Sequence, residues 1–245
     1  MPIILKKKFG QNFLIDNNIL NKIYRLIPNE NLNILEIGPG DGRLTDKIIL
    51  KKPNNLTLIE IDKDLINGLD ERYSKINNIK LINSDVLKLS LREEYQLVIA
   101  NLPYNISSQI LVKLSLLEKI PNFLILMFQK EFALRVIDKK LNSINSLVRC
   151  FYDVKLNFNV SRNCFRPIPK VDSSVLTFKK LKKTLIDRDE INKFILFKRE
   201  LFSHKRKTLK SNLKEYKTNT KLDLNLRVED LDLQKLIQLF RSIKS

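Results

Sequence analysis

The tetrad Asn101-Leu102-Pro103-Tyr104, which follows a short apolar run, carries the sharpest chemical signal in the sequence. The side-chain amide oxygen of Asn101 and the main-chain carbonyl of Leu102 can accept the two hydrogens of an exocyclic amine on an aromatic base. This favours a pyramidal nitrogen whose lone pair points at an electrophile. Pro103 stiffens the turn, and Tyr104 offers a ring on which an extruded base can stack. The alternative is a structural turn with a helix cap at Asn105.

A glycine turn between a strand and a helix is the second signal, because three of the five glycines lie within Leu35–Thr45. Such a turn lets a ligand approach the main chain closely, near helical N–H groups. The spacing is G-x-G-x-G rather than the dinucleotide fingerprint G-x-G-x-x-G, and Pro39 removes one N–H that a phosphate would use. We therefore expect Gly38 and Gly40 to border a nucleoside without a pyrophosphate.

Carboxylates follow the next two apolar runs. Glu60 lies about 20 residues beyond the glycine turn, the spacing at which a carboxylate at a neighbouring strand end accepts from ribose hydroxyls. Asp62 begins a helical run and suits a helix cap. Asp85 can accept from an adenine amino group, with Val86 against the ring, although an Asp after a strand is commonplace.

Short apolar runs alternate with longer amphipathic ones between about residues 16 and 140. The predicted strands are Asn33–Ile37, Leu56–Ile61, Ile79–Ile82, Leu97–Ala100 and Phe123–Phe128, and the predicted helices are 16–27, 43–51, 63–74, 105–119 and 129–138. This alternation predicts an α/β fold with a parallel sheet covered on both faces. Ligands of such sheets bind at the carboxyl ends of the strands, where the tetrad, the glycine turn and the carboxylates all lie.

The pattern changes after about residue 145. Phe151–Val160 and Ser173–Lys180 alternate polar and apolar residues and are predicted strands. Helices are then predicted at Asp187–Phe202, at Lys205–Glu215 and in two short pieces after Arg227. We expect two domains, residues 1–183 with the sheet and residues 184–245 with the helices.

Composition excludes several classes of protein. His204 is the one histidine, so a cluster of histidines cannot bind a metal, and we expect none. The two cysteines, Cys150 and Cys164, cannot form a disulfide framework. No apolar stretch has the length of a membrane span or a signal peptide, which predicts a cytoplasmic protein.

The formal net charge is +18, which favours a polyanionic partner. Residues 1–180 hold 28 basic and 18 acidic side chains, and residues 181–245 hold 17 and 9, so the C-terminal quarter is more basic per residue. The predicted RNA-binding residues form two compact patches: Lys6, Lys7 and Lys8, and Lys205, Arg206, Lys207 and Lys210. An AT-rich genome, which favours Lys, Asn and Ile codons, is the alternative origin of the charge.

Taken together, these segments resemble the ribosomal RNA adenine N6,N6-dimethyltransferases, and most closely the bacterial small-subunit (16S) group. The resemblance covers nearly the whole chain. Its further motifs are Lys8–Asp16, Asn101–Ser107, Gln129–Glu131, Phe165–Ser173 and Lys205–Leu209.

The resemblance implies a class I, Rossmann-like methyltransferase with a seven-stranded sheet, an antiparallel last strand and a small helical C-terminal domain. It implies S-adenosylmethionine as methyl donor, with Asn12, Leu14 and Asn101 joining the residues around it, and Phe165 sandwiching the target base with Tyr104. The expected reaction is dimethylation of two adjacent adenines in the 3′-terminal hairpin of 16S rRNA, by a monomer acting on a precursor small subunit. A 23S rRNA dimethyltransferase conferring antibiotic resistance and a non-catalytic ribosome-assembly factor are the alternatives.

Overall fold

A computed structural model describes residues 11–243 of the chain. The strands are β1 (Phe13–Leu14), β2 (Asn33–Ile37), β3 (Asn55–Glu60), β4 (Ile79–Asn83), β5 (Leu97–Asn101), β6 (Phe123–Gln129), β7 (Tyr152–Val160), β8 (Phe165–Arg166) and β9 (Ser173–Lys180). The helices are α1 (Asn17–Leu26), α2 (Arg43–Ile49), α3 (Lys63–Tyr73), α4 (Ser107–Ser115), α5 (Lys130–Ile137), α6 (Asn145–Val148), α7 (Ile191–Ser203), α8 (Leu209–Asn212) and α9 (Leu233–Ser242).

Seven of the strands form one sheet in the order β4-β3-β2-β5-β6-β9-β7. The strands from β4 to β6 in this order are parallel, and β9 runs antiparallel to β6. Both the predicted parallel sheet and the antiparallel last strand implied by the resemblance are therefore confirmed. The strand order reverses at β2, which lies between β3 and β5, and ligand crevices form at the carboxyl ends of strands at such a point.

Local sequence explains why these elements form where they do. Strand β5 is a continuous apolar run because both faces of the parallel sheet are covered, and Leu97, Val98 and Ile99 are buried. Helix α3 has Asp62 as its N-cap, and the side chain of Asp62 accepts from the main-chain N–H of Asp64 at 3.1 Å. The predicted capping role of Asp62 is thus confirmed, and this cap fixes the direction in which the chain leaves Glu60.

One predicted helix is wrong. The sequence predicts a helix throughout Lys205–Glu215, but the structure contains only the short α8 there. Lys205, Arg206 and Lys207 form a turn in which the N–H of Lys207 donates to the carbonyl of His204 at 2.9 Å. The helix starts later because Thr208 is its N-cap and accepts from the N–H of Ser211.

The chain divides into two compact units. The first, called the sheet unit, comprises the described residues up to Ala133 together with Val154–Lys180. The second, called the helical unit, comprises Leu134–Asp153 together with the residues from Leu181 onwards. The division after Lys180 lies near the predicted boundary at 183, whereas the sequence predicts Leu134–Asp153 to belong to the first domain.

The helical unit has its own aromatic core, in which the rings of Phe194 and Phe240 lie 5.2 Å apart, edge to face. A buried lysine, Lys198, donates from Nζ to the main-chain carbonyl of Ser143 at 2.6 Å and contacts its Oγ at 3.2 Å. Burial lowers the pKa of Lys198 to about 8. Within residues 11–243, no helix is both long and apolar enough to cross a membrane.

Candidate active site

An open cleft lies in the sheet unit at the carboxyl ends of β2, β3 and β5. The space between its walls, including the solvent at its mouth, is about 970 Å³. Most of the predicted site residues line it: Asn12, Leu14, Gly38, Gly40, Glu60, Asp85, Val86, Asn101, Leu102, Pro103 and Tyr104. The fold therefore brings together, on one edge of the sheet, residues that are up to 92 positions apart in sequence.

The glycine turn is tightly constrained. Gly38 and Gly40 have φ angles of +67° and +61°, a left-handed conformation that residues with a side chain rarely adopt. A Cβ atom at Gly40 would also lie 2.8 Å from the ring of Phe13, so the position has no room for a side chain. At Gly38 the space is open, and the backbone conformation alone requires glycine.

Glu60 is buried at the end of β3, and its side chain is hydrogen-bonded to the glycine turn. Its Oε2 accepts from the N–H of Gly40 at 3.3 Å, and its Oε1 accepts from the N–H of Asp62 at 3.0 Å. Burial raises the pKa of Glu60, and the hydrogen bonds from these two N–H groups oppose the rise. The carboxylate is thus held rigidly at the cleft wall, where the ribose assignment expects it.

Glu36, next to the last residue of β2, also lines the cleft, and the sequence reasoning missed it. It is 1% exposed, and its Oε2 accepts from Oγ1 of Thr45 at 2.6 Å. Burial is the main cause that raises its pKa to about 8, and the negative charges of Asp46, Glu60 and Asp41 add to the effect. The sequence signal for Glu36 is a carboxylate between two apolar residues of a predicted buried strand, Leu35 and Ile37.

The residues that follow β4 give the cleft a hydrogen-bond acceptor and an apolar surface. Asp85 lines the cleft, and its Oδ1 accepts from the N–H of Leu87 at 2.9 Å. Val86 is buried beside it, and Ile61, 44% exposed, lies on the same cleft. Sequence reasoning treated Ile61 as a strand residue, but β3 ends at Glu60, and Ile61 presents an apolar surface to the cleft.

The tetrad begins at the end of β5. Nδ2 of Asn101 donates to the main-chain carbonyl of Asn12 at 2.9 Å. The hydroxyl of Tyr104 lies 2.8 Å from Oγ of Ser173, and Oγ of Ser107 donates to the carbonyl of Tyr104 at 3.1 Å. Burial raises the pKa of Tyr104. These bonds hold both side chains at the cleft; sequence reasoning did not find Ser173 or the bond to Asn12.

Two expectations around the tetrad need correction. Helix α4 has Ile106 at its N-cap, so Asn105 does not cap it. Phe165 does not line the cleft: its side chain is completely buried in the core of the sheet unit, opposite Leu14 in the β1–β8 pair. The ring is covered because β1 pairs with β8, and in this conformation it has no free face for a base.

The predicted RNA-binding residues fall in two groups. Lys205, Arg206, Lys207 and Lys210 are all exposed, and we call them the basic turn. His204, beside them, is exposed as well, with Nδ1 2.9 Å from Oγ of Ser203. Lys6, Lys7 and Lys8 lie outside the described residues.

The fold and the cleft together define a class. A sheet with five parallel strands and an antiparallel last strand, with its glycine turn at the reversal of strand order, is the class I, Rossmann-like methyltransferase fold. A profile of the family described as "Ribosomal RNA adenine dimethylase" matches residues 4–244. The chain belongs to this family.

Individual relatives agree with this assignment. The chain is 44% identical over 222 residues to the ribosomal RNA small subunit methyltransferase A of Mycoplasmopsis pulmonis, covering 89% of this chain and 86% of the relative. It is similar to the crystal structure of a dimethyladenosine transferase from Plasmodium falciparum, with a TM-score of 0.80, 25% identity and coverage of 92% and 95%. The structure of the 23S rRNA methyltransferase ErmE, with a TM-score of 0.76, 22% identity and coverage of 95% and 100%, shares the fold.

Proposed function

We propose that the chain transfers methyl groups from S-adenosylmethionine to N6 of two adjacent adenines in the 3′-terminal hairpin of 16S rRNA. The observation that carries the proposal is that a nucleoside cleft, with its glycine turn and Glu60, opens directly onto the Asn101–Tyr104 tetrad. Kinship with small-subunit methyltransferases supports the choice of RNA. Its site of action is the cytoplasm, and it acts as a monomer on a precursor of the small subunit.

The cleft residues fit S-adenosylmethionine. That molecule is a nucleoside without phosphates and carries positive charge on its sulfur and amino group, and it supplies a methyl group on the positively charged sulfur. Glu60 and Asp85 give the cleft negative charge, which suits a cation. Glu36, whose pKa is about 8, is mostly neutral at pH 7, and Asp41 pairs with Arg43 at 3.2 Å. Glu60 is positioned for the ribose hydroxyls, and Ile61 and Val86 for the faces of the purine.

The chain's own residues prepare the target amine. An aromatic amine is a weak nucleophile because its lone pair is delocalised into the ring. Oδ1 of Asn101 and the carbonyl of Leu102 accept its hydrogens, which localises the lone pair and directs it into the cleft, while Tyr104 stacks on the extruded base. As the new carbon–nitrogen bond forms, the methyl–sulfur bond of the donor would break and leave a neutral thioether. The nitrogen becomes acidic and its proton leaves to water, so no separate catalytic base is needed. The second methylation acts on the same nitrogen, which then carries a single hydrogen, so only one of the two acceptors is used.

Phosphate contacts give affinity and register but read no sequence. We assign such contacts to the basic turn within residues 184–245 and to Lys6, Lys7 and Lys8. The sheet unit then performs the chemistry, and the C-terminal domain docks the RNA.

Primer extension on ribosomal RNA from a strain that lacks the protein tests the proposal. Dimethylated N6 has no hydrogen left for base pairing, so reverse transcriptase stops there. We expect the stop near the 3′ end of small-subunit RNA to disappear in this strain. The wild-type chain should restore it, and the Asn101→Ala variant should not.

Two other outcomes contradict the proposal. Loss of a stop in large-subunit RNA instead would identify a 23S rRNA methyltransferase. Unchanged stops in both RNAs, together with a defect in subunit assembly, would identify a non-catalytic assembly factor.

A further inference from the structure

The side-chain amide of Asn101 has a fixed orientation. A carboxamide has a donor end and an acceptor end of nearly the same shape, and its partners decide which end faces where. The partner here is the main-chain carbonyl of Asn12, 2.9 Å away, which can only accept. Nδ2 must therefore face Asn12, and Oδ1 is the end left for another partner.

Asn12 belongs to a segment, residues 11–15, that is fixed on both sides; we call it the strap. Before Asn12, Nε2 of Gln11 donates to Oδ2 of the buried Asp62 at 2.8 Å, two residues beyond the ribose carboxylate. After it, Leu14 pairs with Phe165 in the β1–β8 ladder, and the N–H of Ile15 donates to the carbonyl of Cys164 at 2.9 Å. The strap thus spans the cleft from the cofactor side to β8.

We propose that Asn12 is a positioning residue, whose main-chain carbonyl sets the side-chain amide of Asn101 so that Oδ1 faces the target amine. This inference rests on the proposed function. In the opposite orientation, N–H groups of the amide would face N–H groups of the amine, and the acceptor would be lost. The strap therefore has two roles. It borders the cofactor cleft, and it determines which end of the Asn101 side-chain amide faces the target nitrogen.

The Asn101→Asp variant distinguishes positioning by Asn12 from a role of Asn101 solely as a hydrogen-bond acceptor for the target amine. A carboxylate keeps two acceptors for the amine but has no donor for the carbonyl of Asn12, and its charge repels that carbonyl. If Asn101 acts only as an acceptor, Asn101→Asp will methylate at a rate close to that of the wild type. If the strap positions it, the single-turnover rate will fall about as far as in Asn101→Ala, by roughly 100-fold.

Hydrogen exchange at the amide of Ile15 reports the strap without any RNA. In Asn101→Asp and Asn101→Ala, we expect this amide to exchange about 2- to 10-fold faster, the change for losing one hydrogen bond. Tyr104→Phe is the matched control, because it removes a hydroxyl bonded to Ser173 and keeps the ring and the strap's hydrogen bonds. Its exchange at Ile15 should equal that of the wild type. Core amides of β5 should stay protected in all three variants, which shows that they fold.

The Gln11→Ala variant tests the inference from the other side, since it leaves Asn101 intact and removes the bond to Asp62. We expect faster exchange at Ile15 and a lower rate at saturating cofactor and RNA, not only a higher KM for the cofactor. Unchanged exchange at Ile15 in Asn101→Asp, or an unchanged saturated rate in Gln11→Ala, would overturn the positioning role. The exchange measurement stands even if the wild-type chain methylates no small-subunit RNA, so failure of the proposed function remains distinguishable.

Discussion

Each unit buries one titratable side chain whose pKa moves to about 8, but the two groups differ in their surroundings. Glu36 lines the cleft of the sheet unit, and three further carboxylates add to the rise of its pKa. Lys198 lies in the helical unit, where its Nζ bonds to the carbonyl and hydroxyl of Ser143. Burial shifts both pKa values, yet only Glu36 borders the cleft. A shifted pKa therefore indicates a functional site only when a cleft reaches the group.

The two units also differ in the sign of the charge they present and in the kind of ligand that this charge suits. The sheet unit gathers carboxylates around its cleft, which suits a cationic nucleoside. The helical unit presents the exposed basic turn, which suits a phosphate backbone. If this division between chemistry and docking is right, substitutions in the two units should change different measurements.

The largest expected effect is on the chemical step. Asn101→Ala removes the acceptor for the target amine and should lower the single-turnover rate by about 100-fold or more, the scale for a positioned transition-state interaction. Binding to the small ribosomal subunit should stay close to that of the wild type, because the basic turn is intact. Equal losses of rate and affinity would contradict the division.

Glu60→Ala should come next, with an effect on cofactor binding. Losing hydrogen bonds to a charged group weakens binding by about 1–3 kcal/mol, which calorimetry with S-adenosylmethionine can measure. Asp70→Ala, at an exposed position on α3, is the control and should leave the affinity unchanged. Unchanged affinity in Glu60→Ala would refute the ribose assignment.

Neutralising the basic turn should change docking alone. Replacing Lys205, Arg206, Lys207 and Lys210 by glutamine should lower the affinity for the subunit. The slope of log affinity against log salt should become shallower by roughly one for each phosphate that the variant no longer neutralises. Saturating substrate should then restore most of the rate.

A second variant, which removes three positive charges from the sheet unit, controls for the loss of net charge. Arg25, Lys52 and Lys75 are exposed residues at or just beyond the C-terminal ends of α1, α2 and α3. Replacing these three by glutamine should leave the salt slope unchanged. An unchanged slope in the basic-turn variant would mean that the turn is simply solvated and that codon usage explains its charge.

The parallel sheet was predictable because its strands are buried on both faces and therefore appear as short apolar runs. The predicted bounds of β2 and β9 agree with the structure, and those of β3 to β7 lie within one residue. Strands β1 and β8 were not predictable, since two residues show no periodicity and each depends on the other for its hydrogen bonds. That pairing is also why the burial of Phe165 could not be foreseen.

In the cleft, too, contacts between residues that are distant in sequence could not be predicted. The sequence predicts Gly40, Glu60 and Asn101 at one edge of the sheet, because each lies at or just after the end of a predicted strand and parallel strands end at the same edge. The bond between Asn12 and Asn101 joins residues 89 positions apart, and no local pattern encodes it. The sequence predicts a helix through the basic turn, whereas the cap at Thr208 starts the helix later.

Glu36→Gln should change how stability depends on pH in the sheet unit. The pKa of Glu36 is about 8 in the folded chain and 4.5 for the ordinary group. Between these values the folded state binds more protons than the unfolded state, so this group makes stability fall as pH rises, by at most about 1.4 kcal/mol per pH unit. The variant keeps an acceptor for Thr45 and should lose that fall. Denaturant unfolding at pH 5 to 8 measures it, and parallel curves for variant and wild type would contradict the assignment.

Lys198→Met should have the opposite signature at higher pH, and it completes the comparison of the two units. The pKa of Lys198 is about 8 in the folded chain and 10.5 for the ordinary group, because burial disfavours the charged form. Between pH 8 and 10.5 the unfolded state binds more protons, so this lysine makes stability rise with pH, again by at most about 1.4 kcal/mol per pH unit. Methionine fills a similar volume without a charge, so the rise should vanish in the variant. Methylation at saturating substrate should stay at the wild-type rate, because Lys198 does not line the cleft. A loss of activity in a stably folded variant would show that this buried lysine serves the reaction.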